Sequence, residues 1–160
     1  MTKKLSALAL FLILCNNHAF GQDRGFGLGI IIGEPTGISA KTWLGHSSAL
    51  DFAVAWSFKG RNSLTLHADY LNHNFRLIKV DKGQLPFYYG IGGRIKFRDN
   101  DNLPGENGDT RLGVRIPVGL AYMFENVNLD LFVEIVPFLE LVPETNFDLN
   151  AAIGVRYFFK

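Results

Sequence analysis

From about residue 25 onward the chain alternates bulky apolar residues with small or polar ones at a period of two, and no segment carries a helical repeat. Such a pattern suits strands whose two faces meet different surroundings, because successive side chains on a strand point to opposite sides. Eight strands are expected, at about 25–33, 36–45, 48–58, 62–75, 85–97, 110–124, 127–141 and 146–159. Turn residues separate them, among them Gly33-Glu34-Pro35-Thr36-Gly37, Gly45-His46-Ser47, Lys59-Gly60-Arg61-Asn62, Asp81-Lys82-Gly83 and Glu125-Asn126. Short connections imply antiparallel hairpins throughout. One connection is expected to be long, Arg98 to Asp109, and it is rich in Asp, Asn and Gly.

The two faces differ in content. In the sixth strand one face reads Leu112, Val114, Ile116, Val118, Leu120, Tyr122 and Phe124. The other reads Arg111, Gly113, Arg115, Pro117, Gly119, Ala121 and Met123. The third, fifth, seventh and eighth strands repeat the contrast. Pro117 and Pro137 lie inside strands without an N–H for the ladder, so irregularity is expected at both.

Eight alternating strands close naturally into an up-and-down barrel, and two kinds are possible. A soluble, lipocalin-like lipid carrier turns the apolar face inward; a membrane barrel turns it to lipid. The polar face decides for the second. It is crowded with Gly and Ala, which suits a narrow interior, and its charges balance. Lys41, Arg94, Lys96, Arg111, Arg115 and Arg156 stand against Asp51, Asp69, Asp130, Glu134, Glu140 and Asp148. Balance matters because unpaired buried charge is very costly. Aromatic residues fall near strand ends, as in interfacial girdles: Phe26, Trp56, Phe58, Phe87, Tyr89, Phe97, Tyr122, Phe124, Tyr157 and Phe159. Slipping the sixth strand by one residue would put Arg111 and Arg115 into lipid, at roughly 2–4 kcal/mol each near the midplane.

Residues 1–21 read as a cleaved secretory signal peptide, not as part of the fold. Lys3 and Lys4 are followed by the apolar run Leu5–Leu14, which is too short to span a bilayer as a helix. Ala19 and Gly21 supply the small residues before the cut. Lipoprotein processing at Cys15 is the alternative, disfavoured by Leu14 before it. Residues 22–160 are then the barrel domain. Removing the two lysines lowers the formal charge from +1 to −1, and the single cysteine leaves with them. Disulfides and thiol catalysis are thereby excluded, and near-zero charge gives no footprint for nucleic acid.

The end of the chain, Gly154-Val155-Arg156-Tyr157-Phe158-Phe159, resembles the closing strand of bacterial outer-membrane barrels. The resemblance implies that Gly154, Tyr157 and Phe159 are read by the barrel assembly machinery. Ala152, where that pattern favours a polar residue, and the trailing Lys160 depart from it. The mature chain as a whole is similar to small eight-stranded outer-membrane proteins. Gly33 to Gly37, Leu66 to Tyr70, Tyr89 to Gly92, Gly113 to Gly119 and Glu134 to Pro137 are similar to a family of barrels of this size. What this implies is a fold and a location, the outer membrane of a diderm bacterium, with no established activity.

Candidate chemistry is sparse. The interior charges are expected to pair with one another and fill the barrel, since eight strands leave room for side chains and not for an open channel. His67 and Asp69 share a face two residues apart, the start of a general-base pair, with Ser63 or Thr65 as a third member. That would make a lipid-modifying enzyme; one more hydrogen bond inside the barrel is the simpler reading. His46 and His73, near turns, are expected to be solvated. No cluster has metal-ligand spacing, so neither metal nor cofactor is expected. Gly90-Ile91-Gly92-Gly93 lies within a strand with no helix after it, which excludes a phosphate loop. With both termini in the periplasm, the connections near 33–37, 59–62, 98–109 and 142–146 face outward. Only 98–109, with an acidic tip at Asp99, Asp101, Glu106 and Asp109, is long enough to bind calcium or a partner. The expectation is a non-enzymatic outer-membrane barrel with a side-chain-plugged polar lumen, contacting membrane lipid, in a structural or interaction role.

Overall fold

The structure, a computed structural model, describes residues 25–34, 36–57, 63–98 and 109–159. The expected signal peptide and cleavage site, Phe58, Lys160 and the acidic residues Asp99, Asp101 and Glu106 lie outside the described residues. The strands are β1 (Phe26–Gly33), β2 (Gly37–Trp43), β3 (Ser48–Ser57), β4 (Ser63–Asn74), β5 (Phe87–Arg98), β6 (Asp109–Arg115), β7 (Val118–Met123), β8 (Leu129–Val142) and β9 (Asn146–Phe159). Every pairing is antiparallel, and neighbours in sequence pair with one another except β6 and β7, which share the partners β5 and β8. β1 also pairs with β9, from Phe26 opposite Phe159 to Gly33 opposite Ala152, so the sheet closes on itself.

β6 and β7 are one barrel strand in two pieces. Arg115 opposite Phe138 and Val118 opposite Ile135 keep a single register along β8. Along β5, Gly92 opposite Arg115 and Tyr89 opposite Val118 do the same. The barrel therefore has eight strands, the sixth interrupted at Ile116-Pro117. The cause is local. The Gly90 amide donates to the Pro117 carbonyl at 2.9 Å, and the Ile116 amide donates to the Pro137 carbonyl at 3.0 Å. Each of these residue pairs keeps one ladder bond and lacks the return bond that a proline cannot donate.

Pro137 itself does not break its strand. β8 runs through it and stays in register with β9 from Leu129 to Glu140. Its missing donor faces the Ile116 junction, so both proline defects fall in one place. The register shift of this region lies elsewhere, between Leu112 and Gly113, where β8 carries Leu141 as an extra residue. The connections differ from expectation at one place. The one from β4 to β5 spans residues 75–86 and is long, where only a turn at Asp81–Gly83 was expected. It is tied back by Gln84, which exchanges two backbone bonds with Met123, and by the Pro86 carbonyl, which accepts from Ala121.

The faces sort as the alternation requires. Lys41, Ala53, Asp51, Asp69, Ala121, Asp130, Phe132, Glu134, Ala152 and Arg156 are buried inside. The apolar face looks out: Ile30 is 51% exposed, Ile91 59%, Ile135 54% and Ile153 57%. The soluble alternative needed that face inside, and it is not there. Aromatic rings ring both rims. Phe26, Tyr89, Phe124, Tyr157 and Phe159 stand near the end where β1 begins and β9 ends, and Trp56, Phe97 and Phe147 near the other.

Candidate functional site

The interior is the only place where the fold gathers charged groups away from solvent among the described residues. Register brings the first conflict: Asp51 on β3 stands directly opposite Asp69 on β4. Like charges so placed are unfavourable, and two arginines from the far wall answer them. The Arg156 Nη2 lies 2.6 Å from Asp51 Oδ1, and its Nη1 lies 3.8 Å from Asp130. Its Nε donates to Ser39 Oγ at 2.8 Å, and its guanidinium stacks over Phe132 at 3.8 Å. Arg115 Nε lies 3.0 Å from Asp69, and its Nη2 donates to Glu134 at 3.2 Å. Glu134 also accepts from the Tyr88 hydroxyl at 3.0 Å. Room for Asp69 comes from Gly92 across the strand, where any Cβ would collide with the Asp69 carboxylate and the Ala68 carbonyl.

His67 is engaged by arginine. Arg115 Nη1 lies 2.6 Å from its Nδ1. Arginine only donates, so Nδ1 accepts and the ring proton sits on Nε2. That Nε2 is 3.9 Å from Asp69, too far for a hydrogen bond. The pair that would begin a general base is therefore not formed, and His67 is buried inside the barrel away from the apolar outer wall. His73, expected in solvent, is buried at 2% exposure. Its ring lies 2.8 Å from the Lys41 ammonium and 3.1 Å from the Ser47 carbonyl, and packs on Trp43 at 4.5 Å. A turn begins just past it, but its parity along β4 is that of His67 and Asp69, and parity decides. His46 is exposed.

Towards the mouth where β1 ends and β9 begins the network opens. Arg94, Lys96 and Arg111 are half-buried; Arg111 donates to Glu140 at 3.1 Å. Arg94 stacks on Phe138 at 3.4 Å and, with the Asn150 amide suitably oriented, donates to its oxygen at 2.7 Å. Asp148, expected inside, is exposed at this rim because the barrel interior ends there. Ser39, His73, Tyr88 and Asn150 are members of the network that charge alone did not reveal; the alternation marks them all.

The fold also makes a cluster that linear spacing did not. Donor atoms of Asp51, His67 and Asp69 all lie within 4.8 Å of one another. They come from two strands, so no sequence interval announces them. Their chemistry does not fit a metal. Asp51 and Asp69 already face guanidinium groups, and His67 presents a proton at Nε2 where a metal needs a lone pair.

Fold and interior together define a small eight-stranded β-barrel with a polar, ion-paired inside and an apolar outside. It resembles the crystal structure of the N-terminal β-barrel domain of Pseudomonas aeruginosa OprF, with a TM-score of 0.65 and 16% sequence identity. The match covers 84% of this chain and 95% of that one, and it concerns the fold. No protein-family model matches the sequence, and no curated protein does.

Proposed function

We propose that this chain is an integral outer-membrane barrel of a diderm bacterium, exported through a cleaved signal peptide, non-enzymatic, with a lumen plugged by its own side chains. The carrying observation is the outer wall: apolar residues exposed at mid-strand on every side of the barrel. Water penalises a continuous apolar surface of this extent, and a bilayer rewards it. The plug is the Arg115 and Arg156 network, whose side chains fill the waist and leave no buried charge far from a partner. Its role is structural or one of interaction, and membrane lipid and the barrel assembly machinery are its expected partners. Gly154, Tyr157 and Phe159 are the residues for the machinery to read.

Two measurements test this. Protein from an outer-membrane fraction should migrate differently on an SDS gel before and after boiling, since a closed barrel resists SDS until heated. In planar bilayers it should show no steady ionic current, and replacing Arg115 and Arg156 together with alanine should produce one. A soluble protein without a gel shift would overturn the membrane reading, and steady current from the unaltered protein would overturn the plug.

A further inference from the structure

Gly93 has no reason inside the barrel to be glycine. Other strand glycines are forced: a Cβ on Gly154 would strike the Phe132 ring, and one on Gly92 would strike Asp69. A Cβ on Gly93 would find open space, with only the Gly113 carbonyl near, at 3.9 Å. Its φ is not positive either. Glycine in a strand interior costs conformational entropy and commonly marks the close approach of something from outside.

What lies outside is a trough in the apolar wall. Ala68, Gly93 and Val114 sit side by side on three adjacent strands. The two smallest form the floor. Phe52, Val54, Leu112 and Leu141, all outward-facing, stand proud around it. Leu141 is the extra residue of the bulge, so the irregularity delivers a side chain to the rim. The trough holds about 650 Å³ and its walls are apolar. Gly93 lies midway along β5 between Tyr89 and Phe97, one from each aromatic rim. It therefore sits at mid-depth of the wall and is continuous with the surface assigned to lipid.

We infer that this trough retains one acyl chain of a membrane lipid. The inference rests on the membrane reading above. Shape favours a chain over a second barrel. Proud side chains keep a second barrel's convex wall off the floor, and a single flexible alkyl chain can lie between them. The trough opens broadly to the outside, so a chain would lie along it and not inside an enclosed pocket, and its almost wholly apolar lining matches a ligand part with nothing to hydrogen-bond.

The test is Gly93→Leu, a substitution the barrel itself accommodates, compared with Val133→Leu on the outer wall away from the trough. Each protein is refolded into phosphatidylcholine vesicles, extracted into mild detergent and weighed by native mass spectrometry. The unaltered protein and Val133→Leu should carry about one phosphatidylcholine, and Gly93→Leu should lose it; all three should keep the heat-dependent gel shift. Equal retention by Gly93→Leu, or no retained lipid on the unaltered protein, would overturn the site while the gel shift upholds the barrel. A dimer of the unaltered protein that Gly93→Leu dissolves would assign the trough to a second copy and overturn the lipid. Absence of the gel shift in the unaltered protein would remove the membrane reading and this site with it.

Discussion

Arg115 serves Asp69, Glu134 and His67 at once, from a position 1% exposed. Its replacement by methionine should cost about 3–5 kcal/mol, because two carboxylates would be left buried without their partner. Equilibrium unfolding in detergent, followed by tryptophan fluorescence, would show the loss. Arg115→Lys should recover only part of it, since one ammonium cannot present a planar fork to three groups. Gly154 invites a second substitution. Alanine there meets the Phe132 ring and should cost about 1–3 kcal/mol by overpacking. Pairing it with Phe132→Leu should return only part of that stability, because the Ile30 carbonyl, 2.6 Å from the same Cβ, belongs to the backbone of β1. If assembly in cells falls further than the remaining stability loss in detergent accounts for, Gly154 is also read by the assembly machinery; parallel losses in both settings would leave packing as its whole role. At this scale the sequence told which side chains turn inward and not whom they meet. Lys41, Asp51 and Arg156 were legible by parity and charge. The contact between Arg156 and Asp51 was not, because they stand on β9 and β3 and meet only across a closed lumen. His73 is buried against expectation because its parity along β4, and not its nearness to a turn, decides where it points.

The element with most information is the interrupted sixth strand. Pro117 within it and Pro137 on the neighbouring β8 each withhold a ladder donor at the same junction, and the register passes through unchanged. Register is held by which face is buried, and a one-residue slip would turn Arg115 outward. Pro117→Val should therefore leave the fold as it is and add an amide facing the Gly90 carbonyl. Hydrogen exchange should find that new amide protected. The stability change should be small, within about 1 kcal/mol, since the gained bond is offset by lost proline stiffening. An unprotected amide would mean the strand departs from β5 there. Strand existence was readable along nearly the whole described chain, because period-two patterning is strong wherever the two faces differ. The connection 75–86 was less so. Phe75, Leu77, Ile78, Val80, Leu85 and Pro86 carry apolar character without alternation, and their anchoring depends on Met123 and Ala121 from a distant strand.

For the whole molecule, closure was implied by strand count and by the need to satisfy every edge, and the β1–β9 pairing supplies it. Disrupting that seam should be more damaging than disrupting any hairpin of equal length. Proline at Ile31, whose residue pairs with both β2 and β9, should abolish the heat-dependent gel shift altogether, with the protein running at its denatured position before and after boiling. The same seam governs the order of events in biogenesis. β1 is the first of the strands to emerge from the ribosome, and its second neighbour is the last. Until β9 arrives its open edge is a template for pairing with other chains, and its longest-range contacts are the slowest kind to form. On the export route proposed above, a chain wired this way has to travel unfolded under escort and shut in a single late act, so chaperone supply in the periplasm, more than the stability of the finished barrel, should set how much of it reaches its destination.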